Sequence, residues 1–283
     1  MALEDSDIIS IQEAMAQFGL SRDDLGLLVR DPQELLGYLE VHIEQGPILE
    51  ANDLALGVVS AICGIERHEV QFVGESAHAG TCPMELRKDA LSAAALLIAE
   101  VEAYARSTPE LKATVGRLNV EPNVVNAIPS HAAFSIEIRS PNDNVRLAAG
   151  AHFHQYAEKL AEERGLDANA SKTYEQIAQP CSPVLQSKLQ SALSNIGQAD
   201  FVLPSGATHD ASAMADLTPM GMLFVRSENG LSHNPAEFTT SEDMNLAIEA
   251  LIELLTNWKK LKPDNQPSHL NPVAIHYSMV RYF

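Results

Sequence analysis

Between about Gly64 and Gln176 the sequence sets strand and helix signals in the order βαββαβ, and no other stretch restricts the fold so closely. The spacing predicts strands over 69–73, 114–120, 132–140 and about 166–174, and helices over about 86–106 and 143–164. Elements in that order make a split βαβ sandwich. On the second helix Val145, Ala149, His152, Phe153, Tyr156 and Leu160 share one stripe, which reads His152 as a histidine at the edge of a core.

A βα pattern flanks this run on both sides. Leu39, Val41 and Ile43 alternate with Glu40, His42 and Glu44 in a strand that ends at Gly46-Pro47. Further strands are expected over 54–62 and 218–225, and helices over 183–196 and 240–258, the last with Met244, Ile248, Leu251 and Leu255 facing inward. A short helix over 10–18 opens the chain, with Ser10 and Glu13 in capping-box spacing and Gly19 as a stop. Residues 1–63 and 177–260 thus read as one domain into which 64–176 is inserted. Pro263, Pro267 and Pro272 interrupt 261–283, read as a loose tail.

A chain of 283 residues with 46% apolar content can build ordinary cores. Its net charge of -19, from 19 basic and 38 acidic side chains, repels polyanions, so neither nucleic acid nor an anionic membrane is an expected partner. No stretch approaches the roughly 20 apolar residues of a membrane span, and Met1-Ala2-Leu3-Glu4-Asp5 does not read as a signal peptide, which makes the cytoplasm the expected location. Cys63, Cys82 and Cys181 are widely spaced and form no CxxC pair, so neither a disulfide framework nor a thiolate metal site is expected. A metal here would take nitrogen and oxygen ligands.

Two histidines, His42 at its strand end and His233 in Gly230-Leu231-Ser232-His233-Asn234-Pro235, suggest such a site. Small residues around His78 in Gly74-Glu75-Ser76-Ala77-His78-Ala79-Gly80 leave its imidazole exposed at a turn, as suits a group that touches a ligand. Asn126 lies near a loop. Arg139, at a strand end, can grip a carboxylate with two parallel hydrogen bonds.

Five strings carry a family resemblance: His42 to Pro47, His78 to Met84 followed by Arg87 and Asp89, Asn126 to Pro129, Ser205 to Ala211, and Ser232 to Glu237. Together, over about 38–255, they resemble the hydantoinase/carbamoylase branch of the dinuclear zinc amidohydrolases and aminopeptidase-like hydrolases. That resemblance implies an α/β aminopeptidase-like catalytic domain with an inserted βαββαβ (ferredoxin-like) lid and dimerisation domain. It implies two metal ions, zinc with manganese or nickel as alternatives, and hydrolysis of the C–N bond of an N-carbamoyl amino acid or allantoate. His42 and His233 match metal ligands, and His78 matches the lid histidine that stabilises the oxyanion. Gln45, Asn126, Arg139 and His209 match substrate-binding positions, with Thr208 standing where the family usually has glycine. It further implies a homodimer through the lid, with His78 and Arg139 far from their own His42 and nearer the partner's.

The family's upstream His-x-Asp and Glu-Glu strings do not occur before His42; the one adjacent glutamate pair, Glu162-Glu163, follows the motifs it should precede. The chain is therefore expected to be the C-terminal two-thirds of such an enzyme, lacking the bridging aspartate and the general base, and inactive by itself. The competing expectation is a metal-free binding or dimerisation module.

Overall fold

A computed structural model of the protein describes residues 9–258 and the backbone of Ala274–Tyr277. The chain runs α1 (Ile11–Gln17), β1 (Tyr38–Ile43), α2 (Ile48–Ala51), β2 (Leu56–Ile62), then β3 (Gly64–Val73), α3 (Ala90–Ser107), β4 (Lys112–Glu121), β5 (His131–Ser140), α4 (Asp143–Arg164) and β6 (Asp167–Gln176). It continues through β7 (Gln179–Pro180), α5 (Pro183–Asn195), β8 (Val202–Ser205), α6 (Ala211–Met214), β9 (Met220–Val225), α7 (Ser241–Thr256) and β10 (Ala274–Tyr277).

Two sheets divide these elements. The first takes strands from both sides of the insertion, in the order β10-β1-β9-β2-β7 with β8 also on β2. β1 lies parallel to β9 and β10, while β2 runs antiparallel to β9. Leu39 and Val41 on one side of β1 join Leu185, Leu189, Leu251 and Leu254 of α5 and α7 in one core cluster. Tyr38, from the opposite side, packs with Leu49, Met222 and Phe224 in another. Because β1 is buried on both sides, the carboxylate of Glu40 is nearly inaccessible at 2% exposure.

The second sheet, β4-β5-β3-β6, is wholly antiparallel. This is the strand order of a ferredoxin-like unit, as the rhythm of the insert predicts. α3 and α4 cover one face, burying Val70, Phe72, Phe134, Ile136 and Ile138 against Ala93, Leu97, Ala149, Phe153 and Leu160. The alternate residues Arg67, Glu137 and Arg139 lie on the other face, where Glu137 bonds both arginines at 2.8 Å.

Two local expectations need correction. The inward face of α7 is Asp243, Ala247, Ala250, Leu251 and Leu254, while Ile248 and Leu255 are exposed. Arg226 holds Asp243 with two 3.0 Å hydrogen bonds and so fixes the helix rotation. On α4 the expected stripe holds: Ala149, Phe153 and Leu160 are buried, joined by Arg146, Gly150 and Ala157, Val145 and Tyr156 pack against them, and His152 sits half-buried at the edge, 2.7 Å from Glu100 and stacked on Tyr104. Within the stretch read as a tail, Ala274–Tyr277 pairs in parallel with Tyr38–Val41. An edge strand needs only main-chain partners, so its side-chain pattern gives little warning. The rest of 261–283 lies outside the described residues.

Candidate functional site

β1 ends by delivering Glu40 and His42 to the same side of the first sheet. His42 Nδ1 lies 2.8 Å from the Ile43 carbonyl oxygen, which assigns its proton to Nδ1 and leaves Nε2 with a free lone pair. His209 meets this ring edge to face, with centroids 4.6 Å apart. It arrives on the loop between β8 and α6 and is buried at 7% exposure. Its Nε2 is 2.6 Å from the Ser205 hydroxyl, while its Nδ1 has no hydrogen-bond partner and faces Glu40 Oε1 at 3.8 Å. Glu40 Oε2 accepts from the Ala211 amide at 2.7 Å and the Tyr38 hydroxyl at 3.2 Å.

Burial pushes the Glu40 carboxyl up, against the hydrogen bond from Ala211. The same cause pushes the His209 imidazole down to about 3, with neighbouring His42 adding to it, so His209 is neutral near pH 7. With Ser205 donating to the Ala207 carbonyl at 3.1 Å, its oxygen accepts from His209 Nε2–H, and His209 Nδ1 becomes a lone pair. Lone pairs from Glu40, His42 and His209 then converge, all within 4.8 Å of one another. Three lone pairs turned on one point make the kind of set that holds a cation. A tetrahedral zinc with bonds of about 2.1 Å holds its ligand atoms roughly 3.4 Å apart, so the longest edge must close by about an ångström or more. The donor set fits a divalent ion.

His209, expected as a substrate contact, is therefore buried among the potential ligands, and Glu40 joins it without having been singled out from the sequence. Thr208 adopts no left-handed backbone, so the side chain found where the resembled family has glycine is accommodated. His233 stands outside the cluster. It is exposed, with φ +55, and its N–H donates to Glu237 at 3.3 Å. Its loop nonetheless lies on the loop of His42: Gln45 Nε2 donates to Ser232 Oγ at 2.8 Å, and a Cβ on Gly230 would sit 2.6 Å from the Gly46 carbonyl carbon. Glu44 caps the start of α2, accepting from the Ile48 and Leu49 amides at 2.7 and 2.8 Å.

The insert separates its own candidates. His78 is exposed and pairs with Ala127, and the Ala79 amide donates to the Asn126 carbonyl at 3.0 Å, so His78 and Asn126 share one end of the second sheet. Arg139 lies at the other end. Its strand neighbour is Ile65, whereas the path to His78 leaves β3 at Val73, roughly 27 Å further along at 3.4 Å per residue. Contrary to the expectation that Arg139 sits far from its own site, its NH1 donates to the Gly206 carbonyl of the same chain at 2.6 Å. It thereby touches the loop that carries His209.

The chain combines an α/β domain, with metal-ligand side chains gathered at the end of a central strand, and a ferredoxin-like insert. It belongs to peptidase family M20/M25/M40, whose model matches residues 12–257. It is 38% identical over 255 residues to an N-carbamoyl-L-amino acid amidohydrolase of Geobacillus stearothermophilus, covering 90% of this chain and 62% of that protein. An allantoate deiminase of Arabidopsis thaliana is 34% identical over 284 residues, with 90% and 54% covered. The crystal structure of a hydantoinase/carbamoylase family amidase from Burkholderia multivorans superposes with a TM-score of 0.81 at 30% identity, over 90% of this chain and 61% of that one. The chain thus spans about three-fifths of the length of such relatives.

Proposed function

We propose that the chain serves metal-dependent hydrolysis of the C–N bond of a ureido acid, an N-carbamoyl amino acid or allantoate, with zinc as the metal. The observation that carries this reading is the convergence of Glu40 Oε1, His42 and the unpartnered His209 Nδ1 at the end of β1. The relatives, hydrolases of such bonds by name, support the substrate class. When bound, the ion supplies Lewis acidity toward the scissile carbonyl and toward water. The protein's own part is positional. His42 offers Nε2 because Ile43 holds its Nδ1 proton. Arg139, braced by Glu137, takes the substrate carboxylate beside Gly206, and His78 donates a hydrogen bond to the developing oxyanion.

His78 and Arg139 cannot meet one small substrate within a chain whose sheet separates them by roughly 27 Å. A homodimer resolves this, with Arg139 acting on its own chain's site and His78 with Asn126 on the partner's. The edge strand β4 and its neighbour α3 offer a groove lined by Ile98, Val101, Ala105, Leu111 and Ala113 for that pairing. Among the described residues no helix is long and apolar enough to cross a membrane, and three unpaired cysteines suit the reducing cytoplasm.

Calorimetry with zinc, then with N-carbamoyl-L-amino acids and allantoate on the zinc-loaded protein, tests the proposal. Micromolar zinc binding lost in His42→Ala, with ureido-acid binding weakened in Arg139→Ala, is the expected result. Zinc-loaded protein that binds no ureido acid overturns the substrate class, and failure to bind zinc leaves the binding-module reading.

A further inference from the structure

The largest fully buried side chain of the described residues is an arginine, Arg146 on α4, at 0% exposure, and nothing in the chemistry above employs it. Its Nε donates to Asp143 Oδ1 at 2.9 Å and its NH2 to Glu175 Oε1 at 3.1 Å. Its NH1 lies 2.9 Å from the buried Glu66 Oε1, an ion pair without hydrogen-bond alignment. Lys172 reaches the same Glu66 oxygen at 3.2 Å. A guanidinium taken out of water is tolerated only when several carboxylates receive it.

Those carboxylates mark the two places where the chain crosses between the domains. Glu66 lies two residues past the outgoing crossing at Gly64, and Glu175 lies just before the return at Ala178. Asp143 accepts from the Ala178 amide with both oxygens, at 3.1 and 3.2 Å. A Cβ on Gly64 would lie 2.6 Å from Asp143 Oδ1, 2.8 Å from the Ala178 nitrogen and 2.9 Å from Arg146 Nε. Both crossings and the head of α4 are therefore closed around one guanidinium. Ser140, the residue after Arg139, is the strand partner of Gly64, so the clamp sits at the end of the insert that touches the His209 loop.

We propose that Arg146, with Glu66, Asp143 and Glu175, is a hinge clamp that fixes the angle at which the insert leaves the site domain, and so acts as a positioning residue for Arg139. The proposal rests on the insert being a lid, but its test does not depend on hydrolysis.

Spin labels at Glu163→Cys on α4 and Ser194→Cys on α5, in a Cys82→Ser background, report the distance between the two parts by pulsed dipolar spectroscopy. The parent is expected to give one narrow distance peak. Asp143→Ala and Glu175→Gln, whose side chains are partly exposed and whose loss spares the buried pair, are expected to broaden or shift it, and Arg146→Lys to do so more. Glu100→Gln, which alters the contact of α3 with His152 on α4 away from the crossings, is expected to leave it unchanged. An unaltered peak in Asp143→Ala and Glu175→Gln, or equal broadening in Glu100→Gln, overturns the clamp. Should Arg146→Lys fail to fold, these variants still decide.

Discussion

Glu40 and His209 show how much of a site two residues decide when they are buried together. His209 titrates at about 3 in the folded protein against an ordinary 6.5. As pH falls the unfolded chain takes up that proton first, so the His209 contribution to stability is complete above about pH 6.5 and is lost progressively toward pH 3. Glu40, raised by burial, works in the opposite sense as pH rises above its ordinary 4.5. In the metal-free protein, His209→Gln is expected to flatten the fall of stability between about pH 6.5 and pH 5 by up to about 1.4 kcal/mol per pH unit, read from urea melts. An unchanged slope would count against a buried neutral His209. Gly150 permits a second test, because a Cβ there would lie 2.5 Å from Glu66 Oε2 and 3.2 Å from the His68 ring. Gly150→Ala should cost about 1–3 kcal/mol by overpacking, measured by denaturant melting. The sequence displayed His42 because a strand and a Gly-Pro turn frame it. It hid Glu40, whose meaning depends on a loop that closes on it from Ala211, 171 residues on.

Elements with local signals were legible. Ser10 caps α1 with both capping-box bonds present, and α4 spans Asp143–Arg164 as its pattern predicts. β3 begins at Gly64, five residues before the expected start, because its helix-facing positions hold Glu66 and His68. Polar residues there break the apolar alternation, and their partners, Arg146 and His154, come from α4. β8 escaped notice for the opposite reason, being short and carrying Pro204. The rotation of α7 depends on Asp243 meeting Arg226, which no hydrophobic periodicity encodes. Thr240 caps that helix through the Asp243 amide at 3.1 Å. Thr240→Ala is expected to lower stability by about 1 kcal/mol, seen as a shifted urea midpoint with unchanged slope.

The whole molecule is expected to be a dimer in solution. Sedimentation at micromolar concentration should give twice the chain mass. Leu118→Lys, at a residue 44% exposed on the edge strand β4, should give monomers without loss of secondary structure. A wild-type monomer would remove the shared site and leave His78 without a substrate to act upon.

Ile65 and Gln176 face each other across β3 and β6, so the insert departs from and returns to nearly one point of the site domain. Among the described residues, the core clusters of the two parts have none in common. Adjacent strands lie only about 4.8 Å apart, so a linker of a few residues from Cys63 to Gln179 could close the gap left by excision. The site sheet is in this sense a chassis with a socket. A different cartridge could be seated between those two residues, bringing its own recognition surface without rewriting the sequence that builds the metal-ligand cluster.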